Sequence, residues 1–358
     1  MKKIIALLLA AMMLFALAAC GNNEAPADTS APADTSKPAD TSAPADTTAP
    51  EAPAETIEID FGHSNAAGSP IDNYVVWFAE LAAEYSDGRI IINNYPAGQL
   101  GAALELQDAV QMGSLDMCMG DSSLMSNILP QLAILNLPML ITSYDMAAAV
   151  YDSAEVEALE DKLAEECNIR VLEWTWNGFR HLITKTPITS LADCKGIKLR
   201  SPEADIYVNT FSIMGFNPTP IAWGDTYSGI SSGVADGSDT TLEGMYTSDF
   251  HSLCKYICLS GHMFSVNSYA INNDLWESLS AEDQDILMRA AADAGARARA
   301  SAIEDEDGFK TLLTDAGVTF TQFENTQEVV DAYMGYWSET AEACEGGMDL
   351  LNTIIALA

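Results

Sequence analysis

The chain has 358 residues, with 52 acidic against 16 basic side chains and a formal charge of −36. So acidic a balance excludes the broad basic face that nucleic acid requires. A hydrophobic content of 48% excludes a chain too polar to build a core.

Taken in order, the chain opens with Lys2 and Lys3 followed by an apolar run, Ile4 to Ala19, too short to span a bilayer comfortably. Leu17-Ala18-Ala19-Cys20 resembles a bacterial lipobox, in which Cys20 is acylated and becomes the mature N-terminus. An ordinary signal peptide with a chance cysteine is the plainer alternative. Residues 1–20 are therefore expected to be a lipoprotein signal peptide, with acyl chains rather than a transmembrane helix as anchor. Residues 21–56 repeat APADTS-like units that hold almost no apolar bulk. Such a stretch cannot bury a core, and its regular prolines keep it extended. It is expected to be a disordered tether.

From Ile57 onward the length fits one large domain or two lobes. Residues 56–61 alternate polar and apolar, as a half-buried strand does. Helical spacing follows through Val75, Phe78, Ala79 and Ala82, up to a stop at Asp87-Gly88. Arg89 to Tyr95 reads as a strand, Pro96 to Gly101 as a turn, Leu104 to Met112 as a helix and Leu115 to Met119 as a short buried strand. This βαβαβ order predicts a parallel sheet with right-handed crossovers. Strands are also expected at Asn168–Thr175 and Gly196–Arg200, and helices at Ala204–Met214 and Asp225–Ser232, closed by Gly215 and Gly233. Ser280 is a fitting N-cap for a long helix reaching about Ile303, long enough to brace two lobes.

Several chemistries find little support. No GxGxxG follows the first strand and no P-loop occurs, which argues against a nucleotide. The six cysteines after Cys20 are too dispersed for a disulfide framework. His251, Cys254, Cys258 and His262 would share one helix face if that segment were helical, but zinc prefers ligands from two elements. No metal and no cofactor are expected. Gly229-Ile230-Ser231-Ser232-Gly233 matches the serine-hydrolase elbow, which needs a strand before the serine; helical spacing puts this serine late on a helix instead. A hydrolase is therefore only a distant alternative, and the chain is not expected to be an enzyme.

Five of the basic residues, Arg180, Lys185, Lys195, Lys198 and Arg200, cluster in one short stretch. In so acidic a chain this suits one small anion held in a cleft. Ser201-Pro202 ends the strand directly after Arg200, at a carboxyl end where open α/β sheets bind ligands. The three lysines read more simply as solvated charges.

The stretch GIKLRSPEADIYVNTFSIMGFNPTPIAWGDTYSGISSGVADG, with Tyr95 to Gly101 and Met112 to Asp116 upstream, resembles the solute-binding proteins of TRAP transporters, of the DctP type (tripartite ATP-independent periplasmic). The likeness covers about Ile57 to Ile303. It implies an α/β, two-lobed periplasmic-binding-protein-like fold with a ligand cleft between lobes and a long connecting helix. The expected lobes are 57–177 plus 266–305, and 178–265 plus 306–358. The implied activity is capture of an organic acid and delivery to TRAP membrane permease subunits. A binding protein for a chemoreceptor or an ATP-driven transporter is the alternative.

By the same resemblance, Arg200 grips the ligand carboxylate, Arg180 is a second ligand arginine and Trp223 packs on the ligand. Asp225 replaces a family glutamate, and Thr240 stands where an asparagine is usual. Asp121, His63, Ser64 and Asn65 fall at pocket positions of the first lobe. His63 and Asp121 also have plain structural readings, as a satisfied core histidine and a helix cap. His181 and Asp239 have no assigned place. Thr240 offers less polarity than asparagine, so a modest monocarboxylate with an apolar body is expected, ahead of C4-dicarboxylates and sugar acids. The chain is expected to act as a monomer on the outer face of the cytoplasmic membrane, held there by Cys20.

Overall fold

In the computed structural model, residues 56–323 and 326–357 are described; the expected signal peptide, Cys20 and nearly all of the tether lie outside them. Among these residues nine strands form one mixed sheet: β1 Ile57–Gly62, β2 Ile90–Tyr95, β3 Met117–Asp121, β4 Ile169–Thr184, β5 Lys198–Ser201, β6 Asn217–Pro220, β7 Gly237–Thr240, β8 Tyr256–Asn272 and β9 Thr319–Thr321. Their order is β2-β1-β3-β8-β4-β7-β5-β6, with β9 added beside β8.

The opening βαβαβ unit folds as its periodicity dictates. β2 and β3 both pair parallel with β1. The crossover helix Pro70–Tyr85 starts on Ser69, whose hydroxyl accepts from the Asp72 amide, and it has proline in its first turn. A second parallel group, β5 between β6 and β7, forms the other half.

Two long antiparallel strands, β4 and β8, join these groups. β3 pairs with the late part of β8, through Asp121–Asn267 and Met117–Ile271. β7 pairs with the end of β4, through His181–Thr240 and Thr184–Gly237. The ribbon is therefore the spine on which both parallel groups hang. Its register shifts at Trp176/Gly178 and again at Arg180/Leu182. Gly178 has φ +98°, and a Cβ there would lie 2.8 Å from the Tyr144 hydroxyl oxygen. A bulge built on glycine bends the ribbon here and re-aims the side chains around it.

The expected strand Asn168–Thr175 is only the first half of β4. Asn177-Gly178 has the composition of a turn, yet the chain runs straight on through the bulge. β8 gave no strand signal because its second half is buried on both faces, polar Ser265, Asn267 and Ser268 included, so no alternation survives.

The long helix runs over Ala281–Asp315, further than its sequence pattern suggested, and Ser280 accepts from the Asp283 amide at its start. Its early residues Ile286, Leu287, Ala290 and Ala294 pack with Phe61, Phe78 and Tyr269. Its late Leu313 packs with Ile183, Ile257 and Phe250. A Cβ on Gly295 would lie 2.3 Å from Glu173 Cγ, so glycine lets the helix lie close on β4. The segment His251–His262 is not one helix: it leaves the short helix Phe250–Leu253 and enters β8. Among the described residues no cluster of His, Cys, Asp or Glu is placed to hold a metal, and no helix is long and apolar enough to cross a membrane.

Candidate functional site

The carboxyl ends of two pairs of parallel strands, β1 with β3 and β5 with β7, meet at one cleft. Ser64 and Asn65 follow β1, Asp121 ends β3, Arg200 lies at the end of β5, and Thr240 and Thr241 close β7; all six line the cleft. Asn177 and Arg180 of β4 and Asn267 of β8 face the same space, beside the ribbon bulges. The cleft encloses about 800 Å³ of atom-free space, its open mouth included.

Arg200 is 3% exposed. Its Nε donates to the Ile221 carbonyl at 2.9 Å, and its guanidinium carbon lies 5.6 Å from the centre of the Trp223 ring. Among the described residues no carboxylate lies within ion-pair distance of it. Burial pulls its pKa down to about 10, more than distant Asp239 restores, and Arg180 pushes in the same direction as burial. A buried cation with no counter-ion costs several kcal/mol. Its two terminal nitrogens remain available to a planar anion.

Arg180 is buried too, but neutralised. Its Nε donates to Asp239 Oδ2 at 2.5 Å, a terminal nitrogen donates to the Asp239 carbonyl at 3.0 Å, and the group lies 4.8 Å from the Tyr207 ring centre. Burial disfavours charge on both partners. Even so, Asp239 lifts the arginine above its ordinary pKa, and Arg180 with His262 holds the carboxylate well below the usual range. Asp239 itself does not line the cleft. His262 Nε2 lies 3.4 Å from Asp239 Oδ2, and its Nδ1 faces Ser260 Oγ at 2.8 Å. Burial lowers the pKa of this histidine and favours its neutral form.

The remaining arm of Arg180 lies 3.4 Å from Ser265 Oγ. Asn177 donates to that hydroxyl at 3.3 Å, and Asn267 donates to the Asn177 carbonyl oxygen at 3.0 Å. A chain of polar groups thus floors the cleft. Asp121 does two things at once: it lines the cleft and caps the turn after β3, accepting from the Ser123 amide at 2.8 Å. Trp223 forms an apolar wall, held edge-on by Phe250 at 5.4 Å. Gly244 leaves this wall room, since a Cβ there would lie 2.7 Å from Thr240 Oγ1 and 3.2 Å from the Trp223 ring.

Two expected site residues lie elsewhere. His63 is 1% exposed and its Nε2 sits 3.0 Å from Asp72 Oδ1. Asp72 also accepts from the Gly68 amide and the Asn94 side chain, both at 2.7 Å. This network draws His63 away from the cleft and fixes the loop that carries Ser64 and Asn65. Asp225 is exposed and off the lining, because the short 3-10 turn Trp223–Asp225 points it outward while its carbonyl accepts from Ser228. The lysines of the basic cluster also stay out of the cleft. Lys185 donates to the Ile230 and Ala235 carbonyls and Lys198 to the Gly233 carbonyl, satisfying the end of the helix Thr226–Ser231. Ser231 is exposed at that helix end, with no strand before it and no elbow.

Sequence reasoning missed Asn177, Glu203, Thr241, Glu243 and Asn267, all on the lining. Their presence makes the cleft more polar than Thr240 alone suggested. Only the strand-end rule carried a usable signal for Thr241, as the residue after Thr240. The other four read as ordinary surface or strand polarity.

The family model for the DctP family, described as bacterial extracellular solute-binding protein, family 7, matches residues 61–343. A solute-binding protein of Chromohalobacter salexigens is 30% identical over 69% of this chain and 74% of its own length. Two solved structures share the fold. One is a TRAP periplasmic solute-binding protein of Chromohalobacter salexigens with bound D-glucuronate, at TM-score 0.80 and 26% identity, covering 84% of this chain and 100% of that one. The other is the sugar acid binding protein of Advenella mimigardefordensis in complex with galactonate, at TM-score 0.78 and 25% identity, covering 84% and 99%.

Proposed function

This chain belongs to family 7 of the bacterial extracellular solute-binding proteins, the DctP family of TRAP receptors and not of enzymes, and from that premise we propose that it captures an organic monocarboxylate with a hydrogen-bonding body. The observation that carries the reading is Arg200, a buried guanidinium without a counter-ion at the meeting point of four strand ends. A ligand carboxylate supplies the missing charge and two parallel hydrogen bonds. Closing the lobes over it removes water and strengthens that bond. The lobes proposed are residues 57–177 plus 266–305, and 178–265 plus 306–358, with the ribbon bulges between them.

The charge count of the cleft selects a monoanion. Arg180 is spent on Asp239, so a second ligand carboxylate would meet Asp121, Glu203 and Glu243 rather than a free cation. Asn65, Asn177 and Asn267 supply donors and acceptors for hydroxyls along the ligand. Sugar acids of the kind bound by the two solved relatives fit this better than the apolar acid expected from Thr240.

The captured acid is delivered to TRAP membrane subunits. Cys20 carries the lipid anchor, and residues 21–56 hold the binding domain off the outer face of the membrane. Cys20→Ser is expected to release the protein from membranes or block its processing; normal cleavage with unchanged retention would overturn the anchor. For the ligand, calorimetry over hexonates, hydroxy acids and C4-dicarboxylates is expected to find binding by a monocarboxylate that Arg200→Ala abolishes. Tight succinate or malate binding with no monocarboxylate binding would overturn the ligand class. Ligand binding indifferent to Arg200→Ala would overturn the site.

A further inference from the structure

Glu243 borders two spaces. A second chamber adjoins the cleft, and Ile71, Asn177, Thr241 and Glu243 line both. The walls of the chamber are aromatic, from Tyr74, Tyr144, Phe179 and Phe309. Its charged groups are all acidic: Glu243, Asp305 and Glu306, with no lysine or arginine on the lining.

Each carboxylate has a neutral hydrogen-bond donor. Glu243 accepts from Thr247 at 3.0 Å, Asp305 from Ser301 at 2.8 Å and Glu306 from the Tyr144 hydroxyl at 2.8 Å. Nearby positive charge comes to Glu306 from Lys310, one turn along the long helix, and the His181 Nε2 lies 3.9 Å from its carboxylate. The His181 Nδ1 accepts the Gly261 amide at 3.0 Å, so the ring directs its remaining N–H toward Glu306. Glu243 and Asp305 have no such neighbour. Burial, with Asp305 adding like charge, pushes Glu243 up to about 7.

Among the described residues, the cleft therefore holds a buried cation without a carboxylate partner, and the adjoining chamber holds Glu243 and Asp305 with no lysine or arginine on its lining, walled by rings. Deepening the reading of the cleft as a carboxylate receptor, and resting on it, we propose that the ligand is a zwitterion: its carboxylate lies on Arg200, and a protonated amine at its far end sits among Glu243, Asp305 and the aromatic walls. An alkylammonium meets ring faces and carboxylates favourably together. A hydroxyl would leave the repulsion between Glu243 and Asp305 in place. A second carboxylate would add to it. A bare metal ion is poorly served, since its ligands must converge at short range and the aromatic walls offer no oxygen.

The test is calorimetry on the full chain with matched sets of acids of four to six carbons. Each set holds the terminal amino acid, the terminal hydroxy acid and the dicarboxylate, and a hexonate is paired with an amino-hexonate. At least one amine is expected to bind about tenfold or more tightly than its hydroxy partner and its dicarboxylate. Glu243→Gln is expected to erase that preference, bringing the amine within a few-fold of its hydroxy partner measured in the same variant, with folding checked by circular dichroism. Arg200→Ala is expected to abolish all binding. If acids bind through Arg200 and no amine gains over its partners, the zwitterion is overturned and the carboxylate receptor stands. If no acid binds through Arg200, both readings fall.

Discussion

Arg180 and Arg200 face one cleft from two neighbourhoods, and the neighbourhoods decide what each can do. Around Arg180 the protein has supplied everything a buried guanidinium needs: a carboxylate at 2.5 Å, a carbonyl at 3.0 Å and a ring face. Around Arg200 it has supplied one carbonyl and one ring and, among the described residues, no carboxylate within ion-pair distance. Equal burial and equal residue type thus give a guanidinium neutralised by the chain in one place and, among the described residues, one without a carboxylate partner in the other. Burial makes an arginine costly, and what matters is whether the chain or the ligand provides the counter-charge.

The largest effect that would break this contrast is on stability. Arg180→Ala strands Asp239 in the interior with only His262 beside it, and is expected to cost about 3–5 kcal/mol of unfolding free energy. Chemical denaturation without ligand measures it. A loss near zero would mean that Arg180 is as free as Arg200.

A smaller effect sharpens the Arg200 side. Gly244→Ala would push a methyl against Thr240 and the Trp223 ring. It should weaken ligand binding by about 1–3 kcal/mol through overpacking, with little change in fold. Calorimetry at one temperature decides it, and unchanged affinity would place the ligand away from Trp223.

The smallest effect lies at the acidic end. The folded chain holds the Glu243 proton up to about pH 7, against an ordinary value of 4.5. Between these values the folded state binds more proton than the unfolded state, so stability is full below about 4.5 and is lost as pH rises toward 7. The half-buried setting limits the loss to the order of 1 kcal/mol. Glu243→Gln should flatten that part of the unfolding profile. An identical slope in the variant would mean that Glu243 titrates normally.

Much of this architecture is legible in the sequence, and the reasons are specific. β1, β2 and the early helices were legible because each has one buried face and an unambiguous stop, and β3 because it is a short apolar run between turn residues. The β4–β8 spine was not, because burial on both faces erases alternation and Asn177-Gly178 looks like a turn. The position of Arg200 followed from Ser201-Pro202 ending its strand. The neutralisation of Arg180 could not be foreseen, since Asp239 is brought to it only by the pairing of β4 with β7. His63 and Asp225 fell on the right loops, but the side chain of one is claimed by Asp72 and the backbone of the other turns it to solvent. Glu243 carried no signal in the sequence, and only the tertiary fold sets it on the wall shared by two chambers.

The most direct test of the central claim is Arg200→Met, which keeps the apolar stem and removes the charge. Thermal unfolding without ligand is expected to be unchanged or raised, because a buried cation without a carboxylate partner has gone, while calorimetric affinity for the ligand falls at least about thirtyfold. Arg200→Lys should lose most of the affinity as well, for want of the fork. A variant that unfolds as easily as Arg180→Ala, or one that binds within a few-fold of the wild type, would contradict the claim.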